Sequence, residues 1–452
     1  MRNYNGLIYV LIILSLTATL LMWGNMVSIY TGVVFNLFTI LGIVVLDFMK
    51  TRRITLFQIW GIAFVYIIWA EMMDMSVMSS ASRYLNAIAF LLVSKSVLDM
   101  GYMTYHSKHY GSNLSEAWLL VKPKAFFAVM VTMLVIWLSS NYLTVLTTMT
   151  SGRQLSGVLG SSIDVWGVFI SASSLIVPAL AAYYYRWHSQ SSILWSLIFL
   201  LPVAMFQIIL GTRSRLIYMI LPWLILTGIV GVKRQKMKAL FWVMIGVVAM
   251  SMVSNFMKQF RNQAFLDFSG GMISTSKDEQ KDPFLRLADK MSPEGCVYMT
   301  YLAEDWFSTH EHSYGREIGF MFYWVIPRAI WKDKPTPVDH WLIRKYENVE
   351  ETYSSASGFT GEIRADFGYW CIIIVFFFGR ILKKADLFVL KSFNDDGPYL
   401  DKILAALIYP CVFFFVRSPL TSTQYFFVEV LLYLAIRRWL GRKYKMKNTG
   451  NG

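Results

Sequence analysis

IYTGVVFNLFTILGIVVLDFM (residues 29–49), KTRR (50–53) and ITLFQIWGIAFVYIIWAE (54–71) follow one another near the start of the chain. Each outer stretch is apolar over about 18–21 residues, the length a helix rising about 1.5 Å per residue needs to cross bilayer hydrocarbon. The four residues between them are polar and three are basic. The pattern is two membrane spans joined by a tight turn on the side where Lys and Arg accumulate.

Outward from this pair the alternation continues. Further apolar segments occupy 6–23, 84–98, 125–148, 164–185, 192–211, 214–232, 239–255, 368–384, 402–416 and 424–440. The first is longer than a signal-peptide core and no A-x-A-like cleavage site follows it, so it reads as a retained span. The predicted fold is an all-α polytopic membrane protein of about 12 transmembrane helices, with one large outer loop carrying short helices.

Composition agrees. Of 452 residues, 56% are hydrophobic and 15% charged, against about a quarter charged in soluble domains. Aromatics reach 16%, as expected where Trp and Tyr sit at lipid–water interfaces. The net charge of +14 is spread in short clusters between apolar runs, so membrane lipids are the expected partner and nucleic acid is not. Cys296, Cys371 and Cys411 show no zinc spacing and no disulfide framework, and read as small hydrophobes.

If the spans alternate, 24 Lys and Arg outside the long loop fall on one side and five on the other. The rich side is cytoplasmic by the positive-inside rule, so both termini are expected inside. The chain then divides into an N-terminal membrane domain of about nine spans (1–255), an extracytoplasmic loop (256–367) and a C-terminal membrane domain of about three spans with a basic tail (368–452). Charge within the spans looks sparse. Arg213, Arg215 and Arg417 stand out, at span ends on the disfavoured side.

Three segments carry candidate chemistry. In GTRSR (211–215), two arginines meet the N-terminus of a span, where free amides and the positive end of the helix dipole favour an anion. A guanidinium matches phosphate bidentately, which suits a lipid phosphate or diphosphate. Simple snorkelling to headgroups is the alternative. In VIPRAIWKDKP (325–335), Arg328, Lys332 and Lys334 form a basic, proline-bounded turn able to clamp an anion, or a solvated turn over headgroups. SSASGFTGEIRADFG (354–368) reads as a flexible, donor-rich loop suited to sugar hydroxyls or phosphate oxygens. Within it Glu362 and Asp366 are one helical turn apart, with Arg364 between them to hold one in place. Glu362 is the candidate general base. Asp366 is equally readable as an N-terminal cap for the following span. His340 is a further candidate base, and Arg417 a further anion contact. Helices are expected at 284–310 and 317–331; the apolar run 318–326 is too short to span, and Pro327 should end it. No Walker A loop, G-x-G-x-x-G, H-E-x-x-H or D-x-D occurs.

GTRSR between two late spans, IPRAIWKDKP in the outer loop and GEIRADFG entering the next span resemble, in order and membrane side, the Wzy-type oligosaccharide repeat unit polymerases of bacterial surface polysaccharides. After Glu362 the stretch departs from the aromatic and Asn of such motifs. The resemblance implies a metal-independent membrane glycosyltransferase without cofactor, working on the outer face of the bacterial cytoplasmic (inner) membrane. It would move a growing glycan (O-antigen, capsule or exopolysaccharide) from undecaprenyl diphosphate onto an incoming lipid-linked repeat unit. Carried over, Arg213 and Arg215 bind the departing diphosphate, Arg328 assists, and Glu362 takes the acceptor proton. Lys334, Arg364, Arg417, Asp366 and His340 contact substrate. A flippase and a chain-length regulator are the implied protein partners. The competing readings are an O-antigen ligase, a flippase or transporter of lipid-linked oligosaccharide, and a non-enzymatic scaffold.

Overall fold

The computed structural model describes residues 4–72, 82–105, 194–209, 213–227, 296–323, 326, 330–347, 357–393 and 399–417, with isolated helical positions between 128 and 181 and between 426 and 438. Every regular element among them is helical. In chain order they are α1 (Tyr4–Trp23), α2 (Ile29–Thr51), α3 (Leu56–Met72), α4 (Leu85–Thr104), α5 (Leu194–Ile209) and α6 (Arg213–Leu226). Then come α7 (Cys296–Phe307), α8 (Arg316–Tyr323), α9 (Val338–Glu347), α10 (Gly358–Phe367), α11 (Cys371–Ser392) and α12 (Tyr399–Arg417). Helices α1, α2 and α4 are long and apolar enough to cross a bilayer. The protein is therefore a helical membrane protein.

Helices stand at eight of the expected spans. The other four, 125–148, 164–185, 239–255 and 424–440, lie outside the described residues apart from isolated helical positions. The boundaries differ where charge misleads. Helix α4 runs on to Thr104 rather than stopping near 98, because Lys95 and Asp99, one turn apart, satisfy each other at 2.5 and 2.6 Å inside the bundle. The span expected from 368 begins at Cys371. Gly368, at φ +58°, and a 3₁₀ turn over Gly368–Trp370 break it from α10.

The bundle core joins α1–α4 to α11 and α12. The closest crossing is α4 on α11. A methyl group on Gly101 would lie 2.0 Å from the Phe376 carbonyl, and one on Gly379 2.1 Å from the Leu98 carbonyl. Two backbones this near require glycine on both sides, the small-residue packing common between membrane helices.

Several polar side chains inside the bundle are hydrogen-bonded to one another. The Asn36 carboxamide oxygen accepts from Ser15 at 2.5 Å and Thr19 at 3.2 Å, and Ser15 also meets Ser96 at 3.1 Å. Near the α2–α3 turn, Asp386 accepts the backbone N–H of Leu56 (3.0 Å) and the hydroxyl of Tyr102 (2.6 Å). Asp47 accepts from Thr55 (3.0 Å) and Gln58 (2.8 Å). Charge within the spans is therefore not sparse. Asp47, Lys95, Asp99 and Asp386 are all buried; the three acids are flanked by apolar neighbours, and Lys95 by Ser94 and Ser96.

Candidate functional site

The opposite end of the bundle, where α3 ends and α4 begins, carries the short helices α7–α10. A helix start leaves backbone N–H groups without intrahelical partners, and here carboxylates distant in sequence accept them. Glu71, at the end of α3, takes the N–H groups of Cys296 (2.7 Å) and Val297 (2.6 Å), the first of α7. Asp366 takes those of Glu317 (3.0 Å) and Ile318 (2.9 Å) in α8. Glu317 in turn takes that of Val338, the first of α9, at 2.9 Å. Negative charge at a helix start also meets the positive end of the dipole. Three carboxylates thus fix α7, α8 and α9 to the bundle and to each other.

These contacts correct two expectations. Asp366 is a helix cap, but of α8 rather than of the following span. Burial pushes its carboxyl above the ordinary carboxylate range, an effect opposed by the two backbone N–H groups. The stretch entering the span is not a flexible loop: Gly358–Phe367 is helix α10, and its Glu362, Arg364 and Asp366 are all buried. Gly358, at φ +64°, lets the helix start against the Val416 carbonyl, where a side chain would not fit.

Glu362 is 1% exposed and accepts the Ser357 hydroxyl at 2.7 Å. Arg364 does not hold either acid of its own helix, since residues two apart face different ways. Its guanidinium lies 3.9 Å from Glu304 of α7, 3.5 Å over the Tyr369 ring and 5.2 Å from the Phe90 ring. Glu304 also accepts the Tyr369 hydroxyl at 3.1 Å. Burial, then the Glu304 charge, raise the Tyr369 phenol above its ordinary value.

Arg417 ends α12 and is buried, and its carbonyl accepts the Cys296 thiol at 3.3 Å. Tyr218 stacks on Phe414 at 4.6 Å. Arg215 is one turn from Tyr218 and Arg417 one turn from Phe414, so the first turn of α6, from Arg213 to Arg215, lies beside the last turn of α12. Phe359, at the start of α10, packs its ring 5.8 Å from Phe415. The starts of α6, α7 and α10 and the ends of α3 and α12 therefore meet in one place. It gathers Glu362, Arg417, Glu71 and the backbone of Arg213 and Arg215; those two side chains lie outside the described ones.

The other candidates are scattered or outside the described residues. Arg328 lies outside them. His340 falls in α9, with its side chain outside the described ones. Lys334 turns back to donate to the Ile326 carbonyl at 3.0 Å and lies over Phe320 at 5.3 Å. The expected helices 284–310 and 317–331 are observed as the shorter α7 and α8, with residues 284–295 outside the described ones. Glu71, Glu304 and Tyr369 were not anticipated. Glu71 had a signal, a carboxylate ending an apolar span; Glu304 had none. Compared with known protein families, with curated proteins and with solved structures, the chain matches none.

Proposed function

We propose that this protein polymerises undecaprenyl-diphosphate-linked oligosaccharide repeat units into a bacterial surface polysaccharide, on the outer face of the cytoplasmic membrane. It does so with twelve spans, both termini inside, and residues 256–367 outside. One observation carries the reading: the helix start bearing Arg213 and Arg215, the helix end bearing Arg417 and the helix bearing buried Glu362 converge at one end of the bundle. The cytoplasmic-type cluster of Lys50, Arg52 and Arg53 borders the α2–α3 turn, at the other end of α3 from Glu71.

The chemistry follows from that convergence. Cleaving a sugar–diphosphate bond builds negative charge on the leaving oxygen, which arginines fixed in a low-dielectric mouth stabilise. Glu362 takes the proton of the attacking acceptor hydroxyl. Arg364, braced by Glu304 and Tyr369, positions α10 against α7.

The test is purified protein with a lipid-linked repeat unit. A polymer ladder is expected, and it collapses in Glu362→Gln, because removing a general base typically costs about 10²–10⁴ in rate. Unextended repeat unit with folded wild-type protein overturns the reading. The buried charges Asp47, Lys95, Asp99 and Asp386 favour a second reading, a transporter of the lipid-linked unit. It predicts vesicle translocation without polymer.

A further inference from the structure

Helix α8 leaves the bundle from a fixed place. Asp366 accepts its first amides, the Tyr314 N–H donates to the Asp366 carbonyl at 2.9 Å, and a methyl group on Gly315 would lie 3.3 Å from the Phe367 ring. Just past Phe367 come Tyr369 and Trp370, both exposed, at the start of α11. From there the exposed residues Ile373, Phe377 and Ile381 follow one face of α11. That is the pattern expected of a lipid-facing side with aromatic residues at its rim.

From α8 onward, apolar residues recur at every fourth position: Ile318, Phe322, Ile326 and Ile330. Ile318 packs on the bundle core. Phe322, Ile326 and Ile330 are 68%, 38% and 78% exposed. The residues around them are folded together. The Tyr323 ring meets that of Trp331 at 5.3 Å, the Ile326 N–H donates to the Tyr323 carbonyl at 3.0 Å, and Lys334 reaches back to the Ile326 carbonyl and the Phe320 ring. Phe320, Tyr323 and Trp331 are half-buried, while the two isoleucines and Phe322 stay on the surface. Apolar side chains held outward by folded surroundings mark contact with another apolar phase. Lys332, exposed, and Lys334 border them, opposed by Asp333 alone in that turn.

We propose that the segment from Phe322 to Lys334 docks on the bilayer surface, with Phe322, Ile326 and Ile330 in the headgroup–acyl boundary and the two lysines on anionic lipid phosphates. Apolar residues with a basic border are the composition of segments that lie in the interface without spanning it, and each such lysine is drawn to anionic lipid. A second copy of this chain, at net charge +14, would instead bring like charge to the lysines. The docking serves a polymerase and a transporter alike.

The test uses full-length protein in lipid nanodiscs, where both faces are open to solutes. Bimane is attached to Phe322→Cys or to Ile330→Cys; Cys296, Cys371 and Cys411 are buried, and mass spectrometry checks that the introduced thiol alone is labelled. Leu14→Cys, exposed in the middle of α1, is the lipid reference, and free bimane–cysteine the aqueous one. At both positions, lipid brominated near the headgroup end of its acyl chain should quench more than lipid brominated near the methyl end, the reverse of Leu14→Cys. Iodide should quench far less than it quenches the free adduct. Lys332→Glu should weaken the bromine quench in nanodiscs containing phosphatidylglycerol and leave it unchanged in phosphatidylcholine alone. Full iodide access without bromine quenching means a solvated turn and overturns the proposal. Protection from both quenchers means that protein covers the segment, and overturns it too. An equal effect of Lys332→Glu in both lipids overturns the role of the anionic headgroup.

Discussion

Glu71→Gln tests how firmly α7 is held against the end of α3. The wild-type carboxylate accepts from two buried N–H groups, at 2.7 and 2.6 Å. The substitution keeps shape and one acceptor, but turns a donating NH₂ toward the second N–H. One charge-assisted bond is lost, worth about 1.5–3 kcal/mol. At about 1.4 kcal/mol per factor of ten, α7 opens roughly 10- to 150-fold more often. Cys296 reports it directly, because its own amide is one of the capped groups and the residue is only 4% exposed. The assay is the alkylation rate of Cys296 by a small maleimide, read by peptide mass spectrometry under native conditions. Cys371 and Cys411, buried in α11 and α12, serve as internal references. A Cys296 rate within twofold of wild type, with the references unchanged, refutes the cap as the element that holds α7.

On the proposed function, Arg213→Ala and Arg215→Ala each remove a charge-assisted phosphate contact of about 1.5–3 kcal/mol and should lower polymer yield tenfold or more at normal expression; Lys restores part of it, since the planar fork is lost. Gly368→Ala forces a side chain into a left-handed conformation 2.6 Å from the His312 ring nitrogen, so the melting temperature should fall by an amount equivalent to about 1–3 kcal/mol. The raised Asp366 carboxyl gives stability that is full below the ordinary carboxylate value and is lost as pH rises through the higher folded one. Melting temperature should decline across that window, and Asp366→Asn should flatten the decline.

Among the described residues the apolar helices were legible because hydropathy is local: a run such as 29–49 must be buried or in lipid whatever surrounds it. The end of the bundle that carries α7–α10 was less so. GFTGEIRADF has two glycines and a mixed pattern, and becomes a helix only because Val416, Thr300 and α8 close around it. Asp366 could be seen as a cap, but not whose, since the helix it serves starts 50 residues upstream. Arg213, Arg215 and Arg417 stood out as a set because each ends an apolar run, where a charge is costly unless it is met. That Glu362 and the start of α7 join them depends on tertiary contacts that no local pattern encodes.

The carboxylate caps also bear on how the chain is made. Glu71 leaves the ribosome 225 residues before the helix it caps, and Leu56 waits 330 residues for Asp386. At about 5–20 residues per second, the α3 amide stays without its acceptor for roughly 15 to 65 s of synthesis. Thr55 and Gln58 cap the start of α3 locally from the outset, but the Leu56 amide lacks its acceptor through that interval and Glu71, at the other end of the helix, lacks its partners for 225 residues of it. The first helices therefore enter the bilayer as a provisional assembly, dependent on water or on the insertion machinery at both ends of α3. They become permanent only when the last third of the chain arrives, so truncation before Asp386 should leave the N-terminal half a substrate for membrane proteolysis.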